Sequence, residues 1–209
     1  MQLECKVITP TLQIEKKLWN SGYYYIAGLD EVGRGSFAGS VVVGAVIFPS
    51  DIQLPDGIAD SKLLKPRQRE KLELSIKNQA LAWSIAEVGV PTINKIGIGK
   101  ATQVAFRKAL RLLPVQADFV LVDAFCVKHL NRKIQKPIQN GDKICASISA
   151  ASIIAKVYRD KSMKKLHKKY PCYGFAKHKG YGTKLHQAAI RKHGLTRIHR
   201  KSFNLQKFL

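Results

Sequence analysis

The sequence predicts a single α/β domain built around a mixed sheet. Three observations carry this. Apolar runs rich in β-branched and aromatic residues at 23–30, 40–48, 80–88 and 118–124 have strand length and end in turn residues. The first two runs follow one another directly, and the later ones are separated by stretches with helical spacing, as in layered α/β architectures. The chain has 209 residues, 45% of them hydrophobic, which is enough for one well-formed core.

Taken in order, YYYIAGLD at 23–30 is the first strand, and EVGRGSFAG, with three glycines, is the turn after it. SVVVGAVIF at 40–48 is the second strand, stopped by Pro49, and 50–65 is a loop containing DSKLLKP. PRQREKLELSIKN at 66–78 reads as a helix with Pro66 in its first turn, and ALAWSIAEV at 80–88 as the third strand. One longer helix follows Pro91, with Ala105, Leu110 and Leu113 near helical spacing, and DFVLVDA at 118–124 is a short buried strand. Residues 143–170 read as one long helix, because Ile144, Ile148, Ala151, Ala155 and Tyr158 recur at spacings of four and three. A final amphipathic helix at about 183–193 follows KGYGT and stops before Gly194.

Charge narrows the function. Lys and Arg number 36 against 14 Asp and Glu, a formal net charge of +22. A surface this basic calls for an acidic partner, nucleic acid first and anionic membrane second. No apolar run approaches the ~20 residues of a transmembrane helix, and MQLECKVITP lacks the basic-then-apolar order of a secretory signal. A cytoplasmic protein with no membrane partner is therefore expected. Cys5, Cys126, Cys145 and Cys172 form no C-x-x-C pair and are expected as reduced thiols; Cys126 and His129 make a lone C-x-x-H without a second half, which argues against zinc. From Lys156 to Lys201 there are fifteen Lys or Arg and one acid, Asp160, interleaved with Tyr158, Tyr170, Tyr173, Phe175 and Tyr181. Cations for phosphates and rings for sugars or bases suit a nucleic-acid surface, Lys177 and Lys179 included.

With so few acids, each can be weighed. Glu4 and Glu15 lie in an unpatterned N-terminal stretch, Asp51 and Asp56 in a loop, Glu70 and Glu73 on the polar side of a surface helix, Glu87 near a strand end, and Asp118 at a strand start. Asp60 reads as a loop turn, and Asp160 as the ion-pair partner of Arg159. Asp30 and Asp123 differ, because each ends an apolar strand, where a carboxylate is costly unless paired or bound to a cation. Glu31 follows Asp30 directly, and Asp142 in NGDK suits a helix N-cap. If Asp30, Glu31, Asp123 and Asp142 converge, they repel one another, and hard divalent cations such as Mg²⁺ or Mn²⁺ relieve that repulsion. An acidic cluster inside a basic surface suits two-metal hydrolysis of a phosphodiester.

The ordered blocks AGLDEVGRGSFAG, DSK, LVD, NGDK, SAASIIAKVYRD, YGFAKHKGYGT and HRKSF resemble the type 2 ribonucleases H, the bacterial ribonuclease HII branch, from about Tyr25 to Phe203. The resemblance implies a ribonuclease H-like fold, a five-stranded mixed sheet flanked by helices. It implies hydrolysis of the RNA strand of RNA–DNA hybrids and incision 5′ to single ribonucleotides embedded in duplex DNA, leaving 3′-OH and 5′-phosphate ends. Matched position by position, it implies Asp30, Glu31, Asp123 and Asp142 as catalytic and metal-binding residues for Mn²⁺ or Mg²⁺. Gly33, Arg34 and Gly35 would read the ribose 2′-OH, Tyr181 would stack on the following sugar, and Ser61 and Lys62 would contact phosphate. Asp160 matches a structural position. Residues 1–22 are expected to be a variable stretch and 156–209 a basic helical part that binds substrate, in one domain spanning 1–209 and acting as a monomer.

The chain departs from the family pattern at Ser36, Phe37 and Ser40, where proline, leucine and proline are usual, so a looser turn is expected there. His178 is expected at the surface. The tail NLQKFL is faintly like a sliding-clamp peptide and is expected to be an ordinary surface terminus, which makes a clamp a weakly supported partner. A non-catalytic basic RNA-binding protein is the alternative, though it leaves the strand-end carboxylates unexplained. A peripheral membrane protein would need bulkier apolar residues in the final helix.

Overall fold

Helix α1 (Gln13–Asn20) leads into an antiparallel meander of β1 (Ile26–Val32), β2 (Val41–Ile47) and β3 (Ala82–Val88), with α2 (Pro66–Gln79) between the second and third strands. The computed structural model describes residues 9–58 and 64–209. Helices α3 (Val90–Ile96) and α4 (Ile98–Leu112) carry the chain to β4 (Phe119–Asp123), which joins the other side of β1 in parallel. Strand β5 (Gln135–Ile138) adds in parallel to β4 and completes a mixed five-stranded sheet in the order β3-β2-β1-β4-β5. Helices α5 (Gly141–Ile144), α6 (Ala146–Lys169), α7 (Phe175–His178) and α8 (Lys184–His193) follow.

Side chains alternate along each strand, and the two faces are covered by different helices. Ala27, Leu29, Val43 and Ala45 pack on Ala101, Ala105, Phe106 and Ala109 of α4. On the other face Val46 and Phe48 meet Ala150, Ala151, Ile153 and Ile154 of α6, with α2 outside through Leu72 and Ile76. Helix α6 lies directly on the sheet because Gly28 and Gly44 leave room for it. A Cβ on Gly28 would strike the backbone of Ser147 and Ile148, and one on Gly44 the carbonyl of Ala151. A second small core joins Met163, Tyr173, Phe175, Ala189 and Ile190 to Ala38 and Phe37 of the β1–β2 loop.

Several elements differ from the sequence expectation for identifiable reasons. Strand β1 starts at Ile26 because the amides of Tyr24 and Tyr25 donate to the Asp118 carboxylate, both at 2.9 Å, instead of to a neighbouring strand. It then runs through Glu31 and Val32. The helix after Pro91 is two helices, parted at Gly97, where φ is +77°. The long helix is also two, parted at the extended residue Cys145. There Glu15, expected at the surface, is buried and takes a bond from the Ser147 amide at 2.9 Å and from Cys145 Sγ at 3.0 Å. It thus satisfies a donor in the first turn of α6.

Ile144 and Tyr158 are exposed, so the expected apolar face of α6 reduces to Ile148, Ala151 and Ala155 within a helix buried on nearly all sides from Ala146 to Ala155. Helices α1 and α7 and strand β5, four residues with Pro137 near its end, carry too little periodicity to be read from the sequence. Glu73 is buried rather than on a polar face, held by Lys77 at 2.7 Å and Lys161 at 2.9 Å. These bonds, opposing its burial, keep its carboxyl below the ordinary range.

Candidate active site

The carboxylates gather where the parallel strands end. Leu29 pairs with Val122, so Asp123 at the end of β4 lies level with Asp30 of β1, and strand alternation turns both toward the α6 face. Asp30 is 5% exposed. Asp123 Oδ1 accepts the Gly141 amide at 2.7 Å, which ties β4 to the turn bearing Asp142. Asp142 is buried in the first turn of α5, whose N-cap is Asn140 in the left-handed region, so Asp142 is not the cap itself. Asp30 Oδ1 accepts the Glu31 amide at 2.7 Å. Asp30 does not end its strand, contrary to the sequence expectation, because β1 continues through Glu31 to Val32.

Burial is the chief cause that raises the Asp30 carboxyl well above the ordinary range, and the charge of Glu31 is next. Asp123 and Asp142 raise it further, while a hydrogen bond with Ser152 of α6 opposes the rise. Among the described residues no group of three or more His, Cys, Asp and Glu side chains forms a ready metal cage. The four acids are electrostatic neighbours, an oxygen-only donor set that suits a hard divalent cation.

Beside them runs the loop 33–40. Gly33 has φ +86°, and a Cβ there would strike the Arg159 guanidinium, so glycine is required by both conformation and space. A Cβ on Gly35 would meet no protein atom within 4 Å. Arg34 lies 3.8 Å from Glu31 and 4.6 Å over the ring of Phe125, on the edge of a cleft of about 640 Å³ that Lys100, Arg107 and Lys128 also line. The loop is not loose, despite Ser36, Phe37 and Ser40. Phe37 N–H donates to the Gly180 carbonyl at 2.8 Å, and Arg200 N–H donates to the Phe37 carbonyl at 2.7 Å.

Arg159 and Arg200, counted with the phosphate-binding cations in the sequence, are completely buried instead. Arg159 donates to the carbonyls of Ser40, Lys179 and Ala38 at 3.1, 2.9 and 3.2 Å. Arg200 donates to those of Gly39, Arg34 and Ser40 at 2.9, 2.7 and 3.0 Å. The two guanidinium forks thus brace the glycine loop, and Arg159 also joins it to the loop carrying Tyr181. Burial, with Arg159 nearby, pushes Arg200 down to about 9. Asp160 pairs with Lys156 at 2.8 Å and Arg69 at 3.6 Å rather than with its neighbour Arg159. Nothing in a single sequence marks these two arginines as internal.

Tyr181 is 37% exposed, with Arg159 Cζ 5.6 Å from its ring centre. Lys177 is exposed, while Lys179 is half-buried and turns its amine back to the Ala176 carbonyl. Tyr173 and Phe175, expected as rings for nucleic acid, are buried and stacked on each other at 5.4 Å. His178 is buried, not at the surface. Nor is the tail an ordinary surface terminus, since Leu205 is buried and Phe208 lies 5.4 Å from Phe37. Asp60, Ser61 and Lys62, like Cys5 and Glu4, lie outside the described residues. No described helix is long and apolar enough to cross a membrane.

A five-stranded sheet in this order, helices on both faces and acids level with one another on its parallel central strands define a ribonuclease H-like protein. The model of the family described as Ribonuclease HII matches residues 27–206. Ribonuclease HII of Desulfitobacterium hafniense (strain DCB-2) is 46% identical over 201 residues, covering 96% of this chain and 76% of that protein. Among solved structures, ribonuclease H2 from Pyrococcus horikoshii OT3 superposes with a TM-score of 0.74 at 26% identity, covering 88% of this chain and 96% of that one. Two more distant structures share the fold. One is ribonuclease HII of Archaeoglobus fulgidus, in complex with PCNA (TM-score 0.71, 24% identity, 84% and 93% covered). The other is Bst ribonuclease HIII, in complex with Mn²⁺ (TM-score 0.65, 18% identity, 89% and 69% covered). The chain belongs to the ribonuclease HII family and is an endoribonuclease, which removes the non-catalytic RNA-binding alternative.

Proposed function

We propose that this endoribonuclease is metal-dependent, cuts the RNA strand of RNA–DNA hybrids, and incises 5′ to single ribonucleotides in duplex DNA, leaving 3′-OH and 5′-phosphate ends. The observation that carries this is the gathering of carboxylates on one face of the sheet, with Asp30 buried level with Asp123 and Asp123 tied to the turn that bears the buried Asp142, in a protein of charge +22. Divalent cations would relieve the mutual repulsion of such a cluster, and Asp30, Glu31, Asp123 and Asp142 are the residues that would hold two Mn²⁺ or Mg²⁺. Bound there, the ions supply the charge that activates water and steadies the leaving 3′ oxygen. The Mn²⁺ complex of the distant ribonuclease HIII supports this choice of ion.

The chain's own residues set where the cut falls. The backbone at Gly35 is open to close approach by a ribose, whose 2′-OH is both donor and acceptor. Arg34 offers a planar fork to an adjacent phosphate once it leaves Glu31. Tyr181 presents its ring to the next sugar, which an extra hydroxyl would crowd. Lys177 adds an exposed cation, and Ser61 and Lys62 remain proposed phosphate contacts. One domain, acting as a monomer in the cytoplasm, completes the proposal. The PCNA complex of the archaeal relative supports a clamp partner, and recruitment through the tail here would require Phe208 to leave Phe37.

The test is cleavage mapping on a duplex containing one ribonucleotide, with and without Mn²⁺ or Mg²⁺. A metal-dependent cut immediately 5′ to the ribonucleotide is expected. Cleavage in the presence of a chelator, or a cut 3′ to the ribonucleotide with a cyclic phosphate end, would refute it.

A further inference from the structure

Three buried histidines lie beneath the loop that carries Tyr181, and none belongs to the carboxylate site. The rings of His178 and His186 stack at 4.5 Å, and the Nε2 atoms of His186 and His199 are 3.2 Å apart. Two ring nitrogens at that distance require one donor and one acceptor. The other contacts decide which is which. The Thr196 amide donates to His199 Nδ1 at 2.9 Å, so the neutral His199 ring carries its proton on Nε2 and donates to His186. His186 Nε2 is then the acceptor, its proton sits on Nδ1, and Nδ1–H donates to the Tyr181 carbonyl at 2.9 Å. His178 is fixed in the same way: the Gly180 amide donates to its Nδ1 at 3.2 Å, which leaves Nε2–H for the Tyr173 carbonyl at 2.7 Å.

The segment between α7 and α8 takes an unusual backbone path. Lys179 and Gly180 are successive residues in the left-handed region, with φ of +52° and +84°. Local bonds shape part of it, from the Tyr181 amide to the His178 carbonyl at 3.0 Å and from the Thr183 amide to the Tyr181 carbonyl at 2.9 Å, and contacts from other elements fix the rest: Arg159 on the Lys179 carbonyl, Phe37 on that of Gly180, and His186 on that of Tyr181. We propose that His199 and His186 form a one-way hydrogen-bond relay, running from Thr196 to the Tyr181 carbonyl, and that they are positioning residues for the substrate-facing ring of Tyr181. This role rests on Tyr181 being the ring that meets the sugar beside a ribonucleotide, as proposed above.

The relay is tested first without activity. Two-bond ¹H–¹⁵N spectra of ¹⁵N-histidine-labelled protein at neutral pH should show the Nε2–H form for His199 and His178 and the Nδ1–H form for His186. An Nε2–H form at His186 overturns the relay. Kinetics then test positioning. His186→Phe keeps an aromatic ring against Phe37 and Phe175 but donates nothing. It should lose about tenfold in kcat/KM on a duplex with one ribonucleotide, with duplex affinity unchanged. His186→Asn, whose amide nitrogen falls near the Nδ1 position, should recover most of that loss. Tyr181→Ala is run beside them. If Tyr181→Ala is impaired while His186→Phe cleaves at the wild-type rate, the positioning role is overturned. If Tyr181→Ala itself cleaves at the wild-type rate, Tyr181 is not the sugar-reading ring, and the tautomer spectrum still decides the relay. Should His186→Phe not fold, His199→Gln replaces it: the Nε2 donor is kept, and His186 should stay in its Nδ1–H form, with loss of that form overturning the relay.

Discussion

Acid should unlock the histidine relay before it reaches the rest of the core. Burial is the main cause that pushes His186 and His199 down from 6.5 to about 4 in the folded chain, and His178 and His199 repel a charge on His186 further. His178 also titrates low, chiefly through burial, and Tyr173, 5.0 Å from the His199 ring, stays neutral throughout. The folded state therefore holds fewer protons than the unfolded state between these values. Stability is full above pH 6.5 and is lost as pH falls toward 4. From 6.5 to about 4, at 1.36 kcal/mol per unit, each ring would contribute about 3 kcal/mol alone. The two share one hydrogen bond, so the pair is worth about 3–6 kcal/mol. Asp30 acts in the opposite sense, because its raised carboxyl takes up a proton more readily folded than unfolded. The assay is urea unfolding of wild type and His199→Phe between pH 7.5 and 4.5, where subtraction removes the contribution of Asp30. The stability difference between the two should shrink on acidification. A difference that stays constant with pH, or widens toward pH 4.5, refutes the assignment of neutral, relay-bound rings.

Other consequences are measurable in the same protein. Gly33→Ala should cost about 2–4 kcal/mol in urea unfolding, from its left-handed backbone and the collision with Arg159. Gly35→Ala should change stability by less than about 0.5 kcal/mol yet slow incision at a lone ribonucleotide; the opposite ranking of the two variants would place the substrate approach at Gly33. Arg200→Met leaves the carbonyls of Gly39, Arg34 and Ser40 without that donor, and a loss of about 3–5 kcal/mol is expected. A loss under 1 kcal/mol would mean the fork is dispensable. Lys177→Ala should reduce the slope of log K against log salt for duplex binding by about 0.9, whereas Lys179→Ala, with its amine turned to the Ala176 carbonyl, should reduce it less.

The candidate acids were legible in the sequence because strand pattern and polarity disagree there. Asp30 and Asp123 each close a run that is apolar enough to be core, and only tertiary pairing was needed to set them level. The lengths of α2 and α8 were equally plain, while β3 begins at Ala82, two residues later than its apolar run. What could not be read is what depends on contacts distant in sequence. Glu15 looks like any surface acid until Ser147 is placed against it. Arg159 and Arg200 look like phosphate cations because nothing local announces a ring of carbonyls that will enclose them. His178 sits in a run of lysines, and its burial follows from the fold of the second small core rather than from its neighbours. The looseness expected from Ser36, Phe37 and Ser40 failed for the same reason: backbone bonds to Gly180 and Arg200 take over what proline would have supplied locally.

The assignment of the carboxylates is tested most directly by single-turnover cleavage of a duplex with one ribonucleotide by Asp30→Asn and Asp123→Asn, at saturating Mn²⁺ or Mg²⁺, with duplex affinity measured in parallel. Both substitutions keep the size of the side chain and remove one negative ligand. The expected result is near-complete loss of cleavage with binding that is unchanged or tighter, since repulsion of the phosphate falls with the lost charge. Near-normal turnover in either variant, or loss of binding in step with loss of cleavage, would contradict the placement of the chemistry at Asp30, Glu31, Asp123 and Asp142.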